Sequence, residues 1–184
     1  MKSKFIENEI KYTGAELAPH RIYRNQKIQG DAIVAFIGEC DVKLTEMVDI
    51  EDVINNEPIY SKKMLSFICE IFNINLPEGV LRQRLLITTI KEVLEMDYNM
   101  KVRRNGDDLF INDKKLSVSI ATKSATSVLI HTGINIDPEG APIAAAGLNI
   151  IPDINVKDFA KKVMDRYCEE TEDIMLATTK VSGR

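Results

Sequence analysis

The chain has 184 residues, 45% hydrophobic and 28% charged, with 24 Lys and Arg against 28 Asp and Glu for a net charge of −4. That length buries a core without disulfide staples, and that composition excludes disorder and a membrane span. The negative balance also excludes the global positive field behind non-specific nucleic-acid binding, so nucleic acid is not an expected partner.

Residues 4–12 are predicted as a strand closed by the turn pair Thr13-Gly14, and the apolar run Asp31 to Ile37, between Gly30 and Gly38, as a buried strand. Ser61 then predicts a helix start, because Met64, Leu65, Phe67, Ile68, Ile71 and Phe72 recur at spacings of three and four. Asn75 with Glu78 three residues on starts a second helix, whose stripe of Leu81, Leu85, Leu86, Ile90, Val93 and Leu94 ends near Asp97. From Met100 the period changes to two. Val102-Arg103-Arg104, Leu109 to Ile111, Lys115 to Ala121 and Ser127 to Ile136, with a turn at Asn112 to Lys114, read as an antiparallel meander. Asn155 caps a last helix that carries Phe159, Val163 and Tyr167 inward. With no linker and no repeat, residues 1–184 are read as one domain. Its class is α+β: an antiparallel or mixed sheet with helices packed mainly on one face.

Within the meander, Lys115, Ser117, Ser119 and Ala121 alternate with Leu116, Val118 and Ile120, while Ser127, Leu129, His131, Gly133 and Asn135 alternate with an apolar set. The two polar sets are expected to share one face, with Lys115, Ser117 and His131 together. Small residues with a single Lys and a single His suit a face that a ligand covers closely; the alternatives are a plain solvent side or cover by a loop of the same chain. Arg103, Arg104, Asp107 and Asp108 read as a charged turn paired within itself. Arg82, in register with the buried stripe of its helix, either snorkels or meets an anion.

Cys40, Cys69 and Cys168 are far apart, and with two histidines they form no metal-ligand spacing, so reduced thiols, a cytoplasmic location and no metal site are expected. The N-terminus lacks the apolar run of a signal peptide. P-loop, GxGxxG and GxSxG signatures are absent from the sequence.

The segment Asn105 to Ser119, with an Asp-Asp pair, a hairpin and Lys115 ahead of a small-residue strand, resembles the acyl-adenylate site of biotin and lipoate protein ligases. Ser127 to Ile136 is similar to the following strand of the biotin ligases. Over its whole length, including Tyr23 to Asp31 and Arg82 to Leu86, the chain resembles the family called domain of unknown function 366. Members of that family are thought to share the fold of class II aminoacyl-tRNA synthetases and biotin/lipoate ligases. The resemblance implies an ATP-dependent adenylate-forming ligase, or an acyltransferase, acting on a small carboxylic acid, with ATP and Mg2+ as possible cofactors. Its alternative is a non-catalytic small-ligand-binding or sensor module of the same fold.

By the same resemblance Lys115 is the catalytic residue, reaching the acyl carbonyl and the α-phosphate. Arg24, Gly30, Asp31, Asp107, Asp108, Ser117, Ser119, His131 and Asn135 bind substrate or nucleotide. A homodimer through sheet edges is a further expectation. The chain also departs from the ligase pattern. Where the ligases carry an Arg- and Gly-rich loop it offers only Arg24, Gly30 and Asp31. Asp107 stands for their Asn, Val118 stands for a Gly, and no cysteine lies in the meander to act as the nucleophile of an octanoyl transferase.

Overall fold

The computed structural model describes residues 1–183. Its main sheet has five strands in the order β1-β2-β3-β8-β7, comprising β1 (Lys2–Phe5), β2 (Ala32–Val42), β3 (Ile59–Phe72), β8 (Ser127–Asp137) and β7 (Ser117–Lys123). β1 runs parallel to β2 and every other pair is antiparallel. The sheet is therefore mixed. Two long helices, α3 (Leu76–Tyr98) and α4 (Val156–Ala177), cover one face, preceded in the chain by short α1 (Arg21–Gln26) and α2 (Ile50–Asn55). No helix among the described residues is long and apolar enough to cross a membrane.

Both long helices begin where their caps dictate. The Asn75 side chain accepts from the Glu78 amide at 2.9 Å, and the Asn155 side chain accepts from the Lys157 and Asp158 amides at 3.1 and 3.2 Å, which satisfies amides that have no partner in a first turn. Phe159, Val163 and Tyr167 are buried against the sheet, and so are Leu86, Ile90, Val93 and Leu94. The α3 stripe is rotated from its expected position. Leu81 is 69% exposed, while Arg82 and Gln83 are buried in its place.

The helix expected after Ser61 is instead β3, the central strand of the sheet. Residues 64–71 are buried without interruption because both faces are covered. Leu65, Phe67, Cys69 and Ile71 meet the helices, while Met64 and Ile68 meet the N-terminal segment. A strand buried on both sides carries a continuous apolar run, and such a run matches helical spacings by chance. Ser61 caps nothing; its hydroxyl donates to the carbonyls of Lys63 and Asp137.

The strand expected over residues 4–12 is interrupted. β1 stops at Phe5, yet the chain keeps to the flank of β2, where the Ile6, Ile10 and Tyr12 amides donate to Ala35, Ile37 and Glu39 carbonyls. Gly38 permits this path, since a Cβ there would stand 2.0 Å from the Ile10 carbonyl oxygen. The meander is also divided. β4 (Arg103–Asn105), β5 (Asp108–Ile111) and β6 (Lys114–Lys115) form a separate three-stranded sheet, and the chain crosses to the main sheet at Leu116.

Candidate functional site

A cleft of about 490 Å³ opens on the sheet face that the helices leave free. Its floor includes Met64, Val118, Ile120 and His131; its walls are residues 46–60, the tip of the β4–β5 hairpin and the loop 141–145. Lys115 projects into it from a doubly held backbone. Lys115 pairs with Phe110 across β5, its amide donates to Ala144, and its carbonyl accepts from Ala146. The ammonium lies 3.0 Å from Asp108 Oδ1, with both side chains about 30% exposed. Among described lining residues Lys115 is the only lysine or arginine, against seven carboxylates: Glu46, Asp49, Glu51, Asp52, Glu57, Asp107 and Asp108.

The two aspartates of the hairpin face different ways. Asp107 is held from α3, by Gln83 Nε2 at 2.9 Å and Arg84 Nη1 at 3.1 Å, while Asp108 meets Lys115. The turn is therefore not paired within itself. Arg103 stacks over Phe110 and reaches Asp113, and Arg104 donates to the Gly106 carbonyl. Gln83 also donates to Ser119 Oγ at 3.0 Å, and the Ser119 hydroxyl donates to the His131 carbonyl. Ser117 Oγ accepts the Leu109 amide at 2.8 Å, which stitches the small sheet to the large one.

His131 is 3% exposed, stacks on Tyr12 with ring centroids 3.7 Å apart, and has Nε2 3.2 Å from Ser66 Oγ. Burial pushes its pKa down to about 3, so the ring is neutral near pH 7 and forms floor rather than charge. The expectation that it shares a face with Ser117 is corrected by register. The turn after β7 pairs Lys123 with Val128, which sets His131 opposite Ile120, and Ser117 and Ser119 opposite Ile134 and Thr132. A shift of one residue in register reverses every side chain. Ser117 and Ser119 still line the cleft at its β7 edge.

Asn135, 6% exposed, lies beside Lys115, with its backbone amide donating to the Leu116 carbonyl. Burial and the neighbouring Asp49 raise the pKa of Asp52, and the Lys115 charge lowers it. Burial pushes the Tyr12 phenol up. It also pushes the Cys40 thiol up to about 12, and none of the three cysteines lines the cleft.

Three residues assigned from the resemblance lie elsewhere. Arg24 is exposed on α1, Gly30 sits in an open turn with φ +88, and Asp31 Oδ1 accepts the Phe72 amide at 2.9 Å. They belong to the flank where β2 begins and contribute nothing to the cleft lining. Arg82 is also outside it, with Nη2 3.4 Å from Glu78 and Nη1 buried without a partner. The cleft instead draws on Tyr12 and the wall 46–57, which carried no motif, and on Asp107 as held by Gln83, whose signal was a glutamine in a helix stripe that had to be buried.

This arrangement of sheet, helices and cleft is the fold of the biotin and lipoate protein ligases. A Thermoplasma acidophilum protein solved with bound lipoic acid superposes with a TM-score of 0.65 at 12% identity, covering 94% of this chain and 86% of that one. A biotin protein ligase from Aquifex aeolicus in complex with biotin gives 0.59 at 15% identity, covering 94% and 70%. Within that fold, the chain belongs to the family described as a domain of unknown function (DUF366), whose model matches residues 1–182. An uncharacterized protein of Methanocaldococcus jannaschii is 38% identical over 179 residues, 92% of this chain and 79% of that protein. A protein of unknown function from Pyrococcus horikoshi has the same fold with a TM-score of 0.91 at 34% identity, covering 99% of both chains.

Proposed function

We propose that the protein binds a small carboxylic acid in the cleft, with the Lys115 ammonium meeting the carboxylate. The observation that carries this reading is the position of Lys115, the only lysine or arginine among the described residues that line the cleft, fixed by backbone hydrogen bonds on both flanks. An ammonium with three donors can keep Asp108 and donate to a ligand oxygen as well. Solved neighbours of this fold hold lipoic acid and biotin, both carboxylic acids.

The lining does not fit a triphosphate. One ammonium already paired with Asp108 stands against seven carboxylates, and the Arg- and Gly-rich loop that wraps the acyl-adenylate in the ligases has no counterpart on the cleft. The binding module is therefore favoured over the adenylate-forming ligase. A thermal-shift panel of lipoate, biotin, octanoate and amino acids, each alone and with ATP and Mg2+, tests this. A ligand at a hundred times its Kd stabilises by about 2.7 kcal/mol. The expected result is a shift with at least one acid that ATP and Mg2+ leave unchanged; acid-dependent pyrophosphate exchange would replace this reading with the ligase.

A further inference from the structure

The charge of the cleft is divided between its walls. Asp107 and Asp108 are neutralised by Arg84 and Lys115, whereas Glu46, Asp49, Glu51, Asp52 and Glu57, all in the wall 46–57, make no ion pair among the described residues. Asp49 is committed locally, since Oδ1 accepts the Glu51 and Asp52 amides as the cap of α2. The Asp52 side chain accepts no hydrogen bond among the described residues, and it lines the same cleft as Lys115. No group of three or more His, Cys, Asp or Glu among the described residues is placed to hold a metal ion.

The floor supplies an independent observation. Tyr12 and Asn135 are more than nine-tenths buried and line the cleft, but Tyr12 Oη and Asn135 Oδ1 take part in no hydrogen bond among the described residues. Neither is sealed away: the single described side-chain polar atom that is both buried and unpartnered is Arg82 Nη1. Both therefore open into the cleft. Each leaves a polar atom free to bond a molecule that enters the cleft, in exchange for water.

We propose that the cleft takes an amphoteric ligand, a small carboxylic acid that also carries a protonated amine, with its carboxylate at Lys115 and its ammonium against Asp52 and the wall 46–57. This rests on the carboxylic-acid reading above and adds the substrate class. A plain carboxylate entering the cleft gains one attraction at Lys115 and meets the repulsion of an uncompensated acidic wall. A ligand of both signs turns that repulsion into attraction, as complementary potentials do at any specific interface.

The test is calorimetric titration of the full chain with three matched pairs: butanoate and 4-aminobutanoate, hexanoate and 6-aminohexanoate, octanoate and 8-aminooctanoate. At one chain length or more the amino acid should bind at least about tenfold tighter than its parent, a difference of about 1.4 kcal/mol. Asp52→Asn should remove most of that gap without weakening the parent acid, and Lys115→Ala should weaken both members. Glu57→Gln serves as a second wall variant, expected to narrow the gap less. Parent acids that bind at least as tightly as their amino partners at every length, and that respond to Lys115→Ala, overturn the amphoteric ligand and leave the carboxylic-acid reading standing. A gap that survives Asp52→Asn overturns the assignment of the ammonium. Absence of binding by all six, or binding indifferent to Lys115→Ala, overturns both readings.

Discussion

The two faces of the main sheet are built on different terms. Towards α3 and α4 the contacts are apolar, with Leu86, Ile87, Ile90, Val93, Leu94, Phe159 and Val163 fully buried. Towards the cleft the cover is an irregular N-terminal segment, a stacked Tyr12–His131 pair and a set of charged side chains held in ones and twos. The first face stores stability and the second trades it for an accessible concavity. Burial of apolar area scales with what is covered, whereas an open polar cleft returns little to folding.

The largest effect expected from that division is on the helix face. Phe159→Ala should lower unfolding free energy by about 3–5 kcal/mol, as loss of a fully buried aromatic does, whereas Asp52→Asn on the cleft wall should stay within about 0.5 kcal/mol. Urea denaturation of both variants measures the contrast; equal losses would break the comparison.

Next in size is an acid sensitivity seated on the cleft face. Burial holds the His131 pKa at about 3, below its ordinary 6.5, so between those values the unfolded chain takes up a proton that the folded chain refuses. The contribution is fully present above pH 6.5 and is lost on acidification at about 1.4 kcal/mol per pH unit, roughly 3 kcal/mol by pH 4. Stability measured between pH 7 and 4 should therefore fall less steeply in His131→Gln than in the parent, even though the variant starts lower. Equal slopes would show that the ring is not held neutral.

Smaller effects sharpen the comparison. Gly38→Ala forces a Cβ against the Ile10 carbonyl and should cost about 1–3 kcal/mol while loosening the segment that carries Tyr12, readable as faster amide exchange at Ile10 and Tyr12. Asn75→Ala removes the α3 cap for about 1 kcal/mol and should leave exchange there unchanged.

The same division decided what could be read from sequence. Helices α3 and α4 were legible because Asn75 and Asn155 are caps and one face of each helix is buried. β3 was not, because a strand covered on both sides has no period of its own. The pairing of β7 with β8 was legible, but the facing of His131 was not, since register depends on the turn and shifts in single-residue steps. Lys115 stood out through its resemblance to the ligases, and the structure placed it in the cleft. Arg24, Gly30 and Asp31 were drawn from the same resemblance, and here the local sequence had too little of the ligase loop to bring them there. The wall 46–57 went unread because exposed acids in an irregular stretch look like solvated surface until a concavity forms against them.

The central claim is that Lys115 recognises a carboxylate in this cleft. Calorimetric titration of the six acids named above into the parent chain and into Lys115→Ala tests it most directly. The account predicts that the parent binds at least one of them, and that the variant loses at least about tenfold in affinity for it with a melting temperature almost unchanged, because removing a partly exposed lysine costs no more than about 0.5 kcal/mol of stability. A variant that binds the same acid as tightly as the parent, or a parent chain that binds none of the six, would contradict it.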